Sequence, residues 1–141
     1  MPRVALVSKL ANRTRILFQG RLSCYDLAQS LVKDRKGLEI GGPSAVFRDW
    51  FRPLPIYDLV GSLDNCDISR NTAWASHVDA YAFSSRKASG KNIFCDGSDL
   101  SVIPDNSYNF VLSSHNLEHF ANPVRALREW QRVTRPRSGL F

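Results

Sequence analysis

The stretch YNFVLSS, residues 108–114, constrains the fold most. Tyr108, Phe110, Val111 and Leu112 suit a strand with a neighbour on each side, covered on both faces, and do not suit an edge. The segment ANPVRALREWQRVTRP soon follows. There Asn122 can cap a helix, and Pro123 fits the first helical position, where a missing N–H costs nothing. Val124, Leu127, Trp130 and Val133 recur every three residues and predict an apolar stripe on that helix.

The same alternation runs back along the chain. LSCYDLAQSLVKDRKG places Leu22, Leu27, Leu31 and Val32 at near-helical spacing and stops at Gly37, so it predicts a helix. GLEIG follows as a short strand, and SAVFRDWF predicts a brief helix with Ser44 placed to cap it. Pro53 and Pro55 punctuate the chain. IYDLVGSLD predicts a second strand, followed by a mostly polar region holding Trp74 and Tyr81. KNIFCD predicts a third strand, YNFVLSS a fourth, and SGLF the start of a fifth. Short apolar strands alternating with helices imply an α/β fold, with a parallel sheet covered on both faces.

The chain of 141 residues suffices for one domain with a core, and its 43% hydrophobic and 23% charged residues are ordinary for a globular protein. No stretch has the apolar length to cross a bilayer, so a membrane is not expected as a partner. Cys24, Cys66 and Cys95 are odd in number, far apart in sequence and form no CxxC, so neither a disulfide framework nor a cysteine zinc site is suggested, and a reducing cytoplasm is the default. The net charge of +6 is concentrated before residue 37, where eight basic residues face only Asp26 and Asp34. Such a segment can touch nucleic acid or an anionic surface, or imitate a targeting peptide, and is otherwise simply solvated. Two parts are therefore expected: a basic segment and helix over 1–36, and the ligand-binding part over 37–141.

In open parallel sheets, ligands bind beyond the carboxyl ends of the strands, where strand order reverses. Polar groups recur at those predicted ends: Glu39, Gly41 and Gly42 after the first strand, Asp64 and Asn65 after the second, Asp96 and Gly97 after the third, Ser113, Ser114 and His115 after the fourth. One such acid alone is more often a turn former or helix cap. Acids at three successive ends instead suit a ligand rich in donors, such as a nucleoside with ribose hydroxyls and an adenine amine. GGPSAVF lacks GxGxxG, which argues against a nicotinamide dinucleotide.

LEIGG, then DGSDLSVIPDNSYNFVLSSHNLEHFANPVRALREWQRVTRP, then SGLF, resembles the class I S-adenosylmethionine-dependent methyltransferases, in the group of small domains with a Leu-Glu-His motif. The likeness runs from Gly37 to Phe141 and implies a Rossmann-like, doubly wound sheet. It also implies S-adenosylmethionine as cofactor. By position, Glu39 stands where the family holds an acid near the methionine end, and Gly41 and Gly42 form the close-approach turn. Asp64 stands where an acid grips the ribose, Asp96 and the Gly97 backbone where adenine is read, and Ser113 to His115 beside the transferred methyl. Pro43, Asn109 and the turn in RPRSGLF depart from the family pattern.

The resemblance implies methyl transfer to an unidentified small-molecule acceptor, with His115 and then His119 as candidate bases, because histidine titrates near neutral pH. For His119 the alternative is structural packing against the following helix. No basic-aromatic strip near this loop supports a nucleic-acid acceptor. HNLEH also fits the zinc-hydrolase pattern H-x-x-E-H, but it follows a strand and few residues remain to supply a third ligand, so no metal is expected. Family members usually run through seven strands. A sheet that stops at the fifth is incomplete on its C-terminal side, which implies self-association through an exposed edge. The alternative function is then an inactive fragment that at most binds the cofactor.

Overall fold

The structure, a computed structural model, describes residues 21–70 and 79–140, with the backbone alone for 137–140. Most of the basic segment, including Arg3, Lys9, Arg13 and Arg15, lies outside the described residues, as does Trp74.

Six strands form one sheet in the order β3-β4-β2-β1-β5-β6. They are β1 (Lys36–Ile40), β2 (Ser62–Asp67), β3 (Ala80–Tyr81), β4 (Gly90–Phe94), β5 (Tyr108–Ser113) and β6 (Thr134–Leu140). The helices are α1 (Tyr25–Val32), α2 (Ala45–Arg48) and α3 (Pro123–Val133), with a 3-10 turn at Leu117–His119. All pairings are parallel except the short β3–β4 ladder. The chain builds outward from β1 through β2 to β4, then crosses back to lay β5 on the other side of β1. Strand order therefore reverses between β1 and β5, and a crevice opens beyond their carboxyl ends. This is the Rossmann-like α/β architecture expected from the alternation, and β5 holds the central place its composition demands.

Each sheet face has its own core. On one, Ala28 and Val32 of α1 meet Tyr57, Val60, Leu63, Phe110 and Leu112. On the other, Ala126, Trp130 and Val133 of α3 cover Leu38, Ile40, Cys66 and Val111. The apolar stripe of α3 is rotated from the expected one, since Val124 and Leu127 face solvent while Ala126 packs. Likewise, Leu22 lies ahead of α1 and is exposed, as is Leu27 within it, while the small Ala28 faces the sheet. The Asn122 cap forms as expected, its Oδ1 accepting from the Arg125 N–H at 3.0 Å. Ser44 precedes α2 but caps it with no side-chain bond.

The second strand differs most. Residues 57–59 are a turn, Val60 makes an isolated antiparallel bridge to Lys33, and β2 starts only at Ser62. Ile56, Tyr57 and Val60 are nevertheless fully buried, packed in the core below α1. Gly61 sets the boundary: its N–H bonds the Arg35 carbonyl at 2.9 Å, and a Cβ there would lie 2.7 Å from the Asp34 backbone. The strand consequently ends three residues later than expected, at Asp67.

Candidate active site

A cavity of about 310 Å3 opens beyond the carboxyl ends of β1, β2 and β4, walled by Ile40, Gly41, Asp67, Asp96, Asn116, His119 and Phe120 among others. Gly41 follows β1 in the left-handed region, φ +73°, which favours glycine. Its N–H bonds the Cys66 carbonyl at 2.8 Å. A Cβ on Gly41 would meet Asn116 Nδ2 at 2.6 Å, and that nitrogen donates to the Ile40 carbonyl at 3.1 Å. The cavity thus has a stretch of bare, fixed backbone in its wall. Asp67 comes from the end of β2 and Asp96 from the turn after β4, where Asp96 Oδ1 accepts from the Ser98 N–H at 2.7 Å. Gly97 is pinned from behind, its carbonyl accepting from Trp130 Nε1 at 2.7 Å.

A second cavity of about 460 Å3 adjoins the first at Gly41 and is walled by Ser44, Arg52, Ser114 and His115. His115 lies in the left-handed region at φ +55°, is almost wholly exposed, and holds Nδ1 3.8 Å from Glu118 Oε1. His119 is exposed on the wall of the first cavity, so it does not serve as packing for α3. HNLEH closes as a 3-10 turn, not an α-helix, and no group of three metal-ligating side chains comes together among the described residues.

Of the expected site residues, Gly41, Asp96, Gly97, His115 and His119 reach these cavities. Asp64 does not. It lies inside β2 opposite Leu38, where it accepts from the Lys91 N–H at 2.9 Å and the Tyr108 hydroxyl at 3.0 Å, with Lys36 Nζ at 3.4 Å. The later end of β2 gives Asp67 the position expected of Asp64. Asn65, also inside the strand, accepts the Gly42 N–H at 2.9 Å and donates to Asn92 Oδ1 at 2.9 Å. Ser113 Oγ is enclosed, has no hydrogen-bond partner among the described residues, and lines neither cavity. Asp67, Asn116 and Phe120 were not anticipated. Gly61 was the available signal for Asp67, since a glycine inside an apolar run marks a break.

Glu39 is also displaced from its expected place, because it is fully buried and lines neither cavity. Its carboxylate accepts from the Tyr57 hydroxyl at 2.7 Å, the Tyr81 hydroxyl at 2.6 Å and the Ser44 N–H at 3.1 Å. Gly42 packs on the same group, where a Cβ would come 2.5 Å from Glu39 Cδ. Glu39 thereby fixes the turn between β1 and α2 that shapes the cavity wall. Burial pushes its carboxyl above the ordinary 4.5, against the hydrogen bonds from Tyr81, Ser44 and Tyr57, which lower it. A raised carboxyl contributes its stability fully below the ordinary value, and this is lost as pH rises through the raised one. Glu39→Gln mimics the protonated form. In urea melts from acid to neutral pH, the midpoint of the Gln variant should gain steadily on the native chain. A constant difference across that range would show that Glu39 titrates as it does in water.

Residues 38–141 match the family model for the methyltransferase domain. Among solved structures, an arsenic(III) S-adenosylmethionine methyltransferase from Chlamydomonas reinhardtii is similar at 22% identity and a TM-score of 0.56, over 78% of this chain and 38% of that one. A SAM-dependent methyltransferase from Aquifex aeolicus is similar at 16% identity and a TM-score of 0.49, over 88% of this chain and 68% of that one. No curated protein matches. The chain thus spans well under half of the algal enzyme, and at such identity the likeness concerns the fold. With a family match over most of its length, and the strand order and glycine turn described above, the chain belongs to the methyltransferase domain family, of the class I S-adenosylmethionine-dependent kind.

Proposed function

We propose that the first cavity holds S-adenosylmethionine and that the second admits a small-molecule methyl acceptor, the two meeting at Gly41. The observation that carries this reading is the convergence of bare backbone at Gly41 with Asp67 and Asp96 on one cavity wall. These residues fit the cofactor: Asp67 would accept from ribose hydroxyls, Asp96 and the Gly97 backbone would face the adenine amine, and Ile40, Ile68 and Phe120 supply apolar wall. Bound there, the cofactor would supply a methyl group already activated by its sulfonium. The protein's task is then mainly to hold the acceptor in line with that methyl. His115 borders the acceptor side and His119 the cofactor side, and a base is needed only where the acceptor must lose a proton. A second cavity of about 460 Å3 suits a small molecule. The three free thiols support a reducing, cytoplasmic setting.

Calorimetry with S-adenosylhomocysteine tests this directly. The chain should bind near micromolar, about −8 kcal/mol. Asp67→Ala should weaken binding by about 1.5–3 kcal/mol, through lost charge-assisted hydrogen bonds. Asp64→Ala should leave affinity unchanged while lowering the urea midpoint, because it strips partners from Tyr108 and Lys91. The reverse ranking of these two variants would move the ribose site to Asp64. Binding without turnover across a panel of small acceptors would leave a cofactor-binding fragment.

A further inference from the structure

Cys66 lines the first cavity but, like Cys95, has no chemical role in the function proposed above, and the two sulfurs lie 3.4 Å apart. Cys66 is buried near the end of β2, with its Sγ also 3.4 Å from the Cys95 carbonyl. Cys95 follows β4 and is partly exposed. Each cysteine immediately precedes a cavity acid, Asp67 in one case and Asp96 in the other. The backbone links them further: the Cys95 N–H bonds the Asp67 carbonyl at 3.0 Å, and the Cys66 carbonyl holds the Gly41 N–H.

We propose that Cys66 and Cys95 form an oxidation site, a reversible disulfide made by a hydroperoxide, whose closure moves Asp67 and Asp96 and weakens binding in the adjoining cavity. The two thiols are unequal. The hydrogen bond from Cys66 holds the Cys95 thiol below its ordinary range, while that same bond and burial keep Cys66 protonated. Cys95 is therefore the accessible, more readily ionised partner, and the thiolate is the nucleophile. Its sulfur attacks the peroxide oxygen, the O–O bond breaks, and the departing oxygen takes up a proton as water or alcohol. Cys95 is left as a sulfenic acid. The Cys66 sulfur then attacks the sulfenic sulfur, forming the S–S bond and releasing its proton with the hydroxyl as water. Together the thiols lose two electrons and two protons to the peroxide. An external dithiol reverses the bond by exchange.

An S–S bond is about 2.0 Å long, so the sulfurs must close by more than 1 Å. Cys66 is anchored in the sheet core, which leaves the turn after β4 to move, carrying Asp96 directly and pulling on Asp67 through the bond from the Cys95 N–H to its carbonyl. Because a disulfide in a reducing compartment is transient, the bond acts as a sensor and not as a staple.

The test treats the full chain with hydrogen peroxide, blocks free thiols, and maps the peptides by mass spectrometry. A Cys66–Cys95 link that dithiothreitol reverses is expected, and Cys24→Ser should leave it intact. Affinity for S-adenosylhomocysteine should fall about tenfold in the cross-linked chain, equivalent to one misplaced charge-assisted hydrogen bond, and recover on reduction. Cys95→Ala should show neither effect. Cys95 oxidised to the sulfinic acid with Cys66 still free, or a link that leaves affinity unchanged, would overturn the proposal. The affinity arm rests on the cofactor reading. If the reduced chain fails to bind S-adenosylhomocysteine, that reading fails, and the mapped bond alone decides whether the oxidation site exists.

Discussion

Gly41→Val should abolish binding of S-adenosylhomocysteine, by more than about hundredfold, while the far-ultraviolet circular dichroism stays that of the native chain. Two effects combine. A β-branched residue at φ +73° is strained by roughly 1–2 kcal/mol before any ligand arrives. Its Cβ would also press on Asn116 Nδ2 at 2.6 Å, and moving that amide breaks its bond to the Ile40 carbonyl. Both changes fall where the two cavities meet. Gly41→Ala carries the same backbone strain with less bulk and should lose less affinity. Normal binding by the valine variant would reduce Gly41 to a structural turn and remove the first cavity as the cofactor site.

Trp130→Ala should lower stability by about 3–5 kcal/mol in urea titration, the range for truncating a buried aromatic ring. Trp130 is almost fully buried on α3, and its ring stands edge-on to Phe120 with centroids 5.8 Å apart. Its Nε1 holds the Gly97 carbonyl. Trp130→Phe separates packing from that bond. It should lose about 1 kcal/mol of stability and also weaken cofactor binding, although Trp130 lies outside the cavity lining. A phenylalanine variant with native affinity would show that the Asp96–Gly97 turn holds its shape without α3.

How far the site could be read from residues depended on the range of the signal. The Asn122–Pro123 start of α3, the glycine at Gly41 and the double-sided apolarity of β5 are local features, and each produced the expected local structure. The second strand was misplaced because Ile56 and Tyr57 are apolar for packing, and Val60 only bridges Lys33 outside the sheet, which a short apolar run does not distinguish. That slip put the expected strand-end acid at Asp64, whereas the strand ends at Asp67. The large exposed side chains of Leu22 and Leu27 hid the true face of α1, since Ala28 carries little hydrophobic signal. Glu39 was legible as a special acid, but its partners Tyr57 and Tyr81 lie 18 and 42 residues away. Its burial was therefore not written near it. The two-residue β3 is too short to carry any period.

The crossing back of the chain to β5 also orders events during synthesis. The first neighbour of β1 comes early: Gly42 meets Asn65 across 23 residues. The second comes late, since Lys36 meets Asn109 across 73 residues. A nascent chain can thus pair β1 with β2 while the other side of β1 still presents open backbone and apolar surface, and α1 lacks the Phe110 and Leu112 part of its seat. Only the emergence of β5 closes it, and long-range pairings of this kind form slowly. In that interval the open strand edge is the part of the chain most apt to recruit a chaperone or another nascent copy.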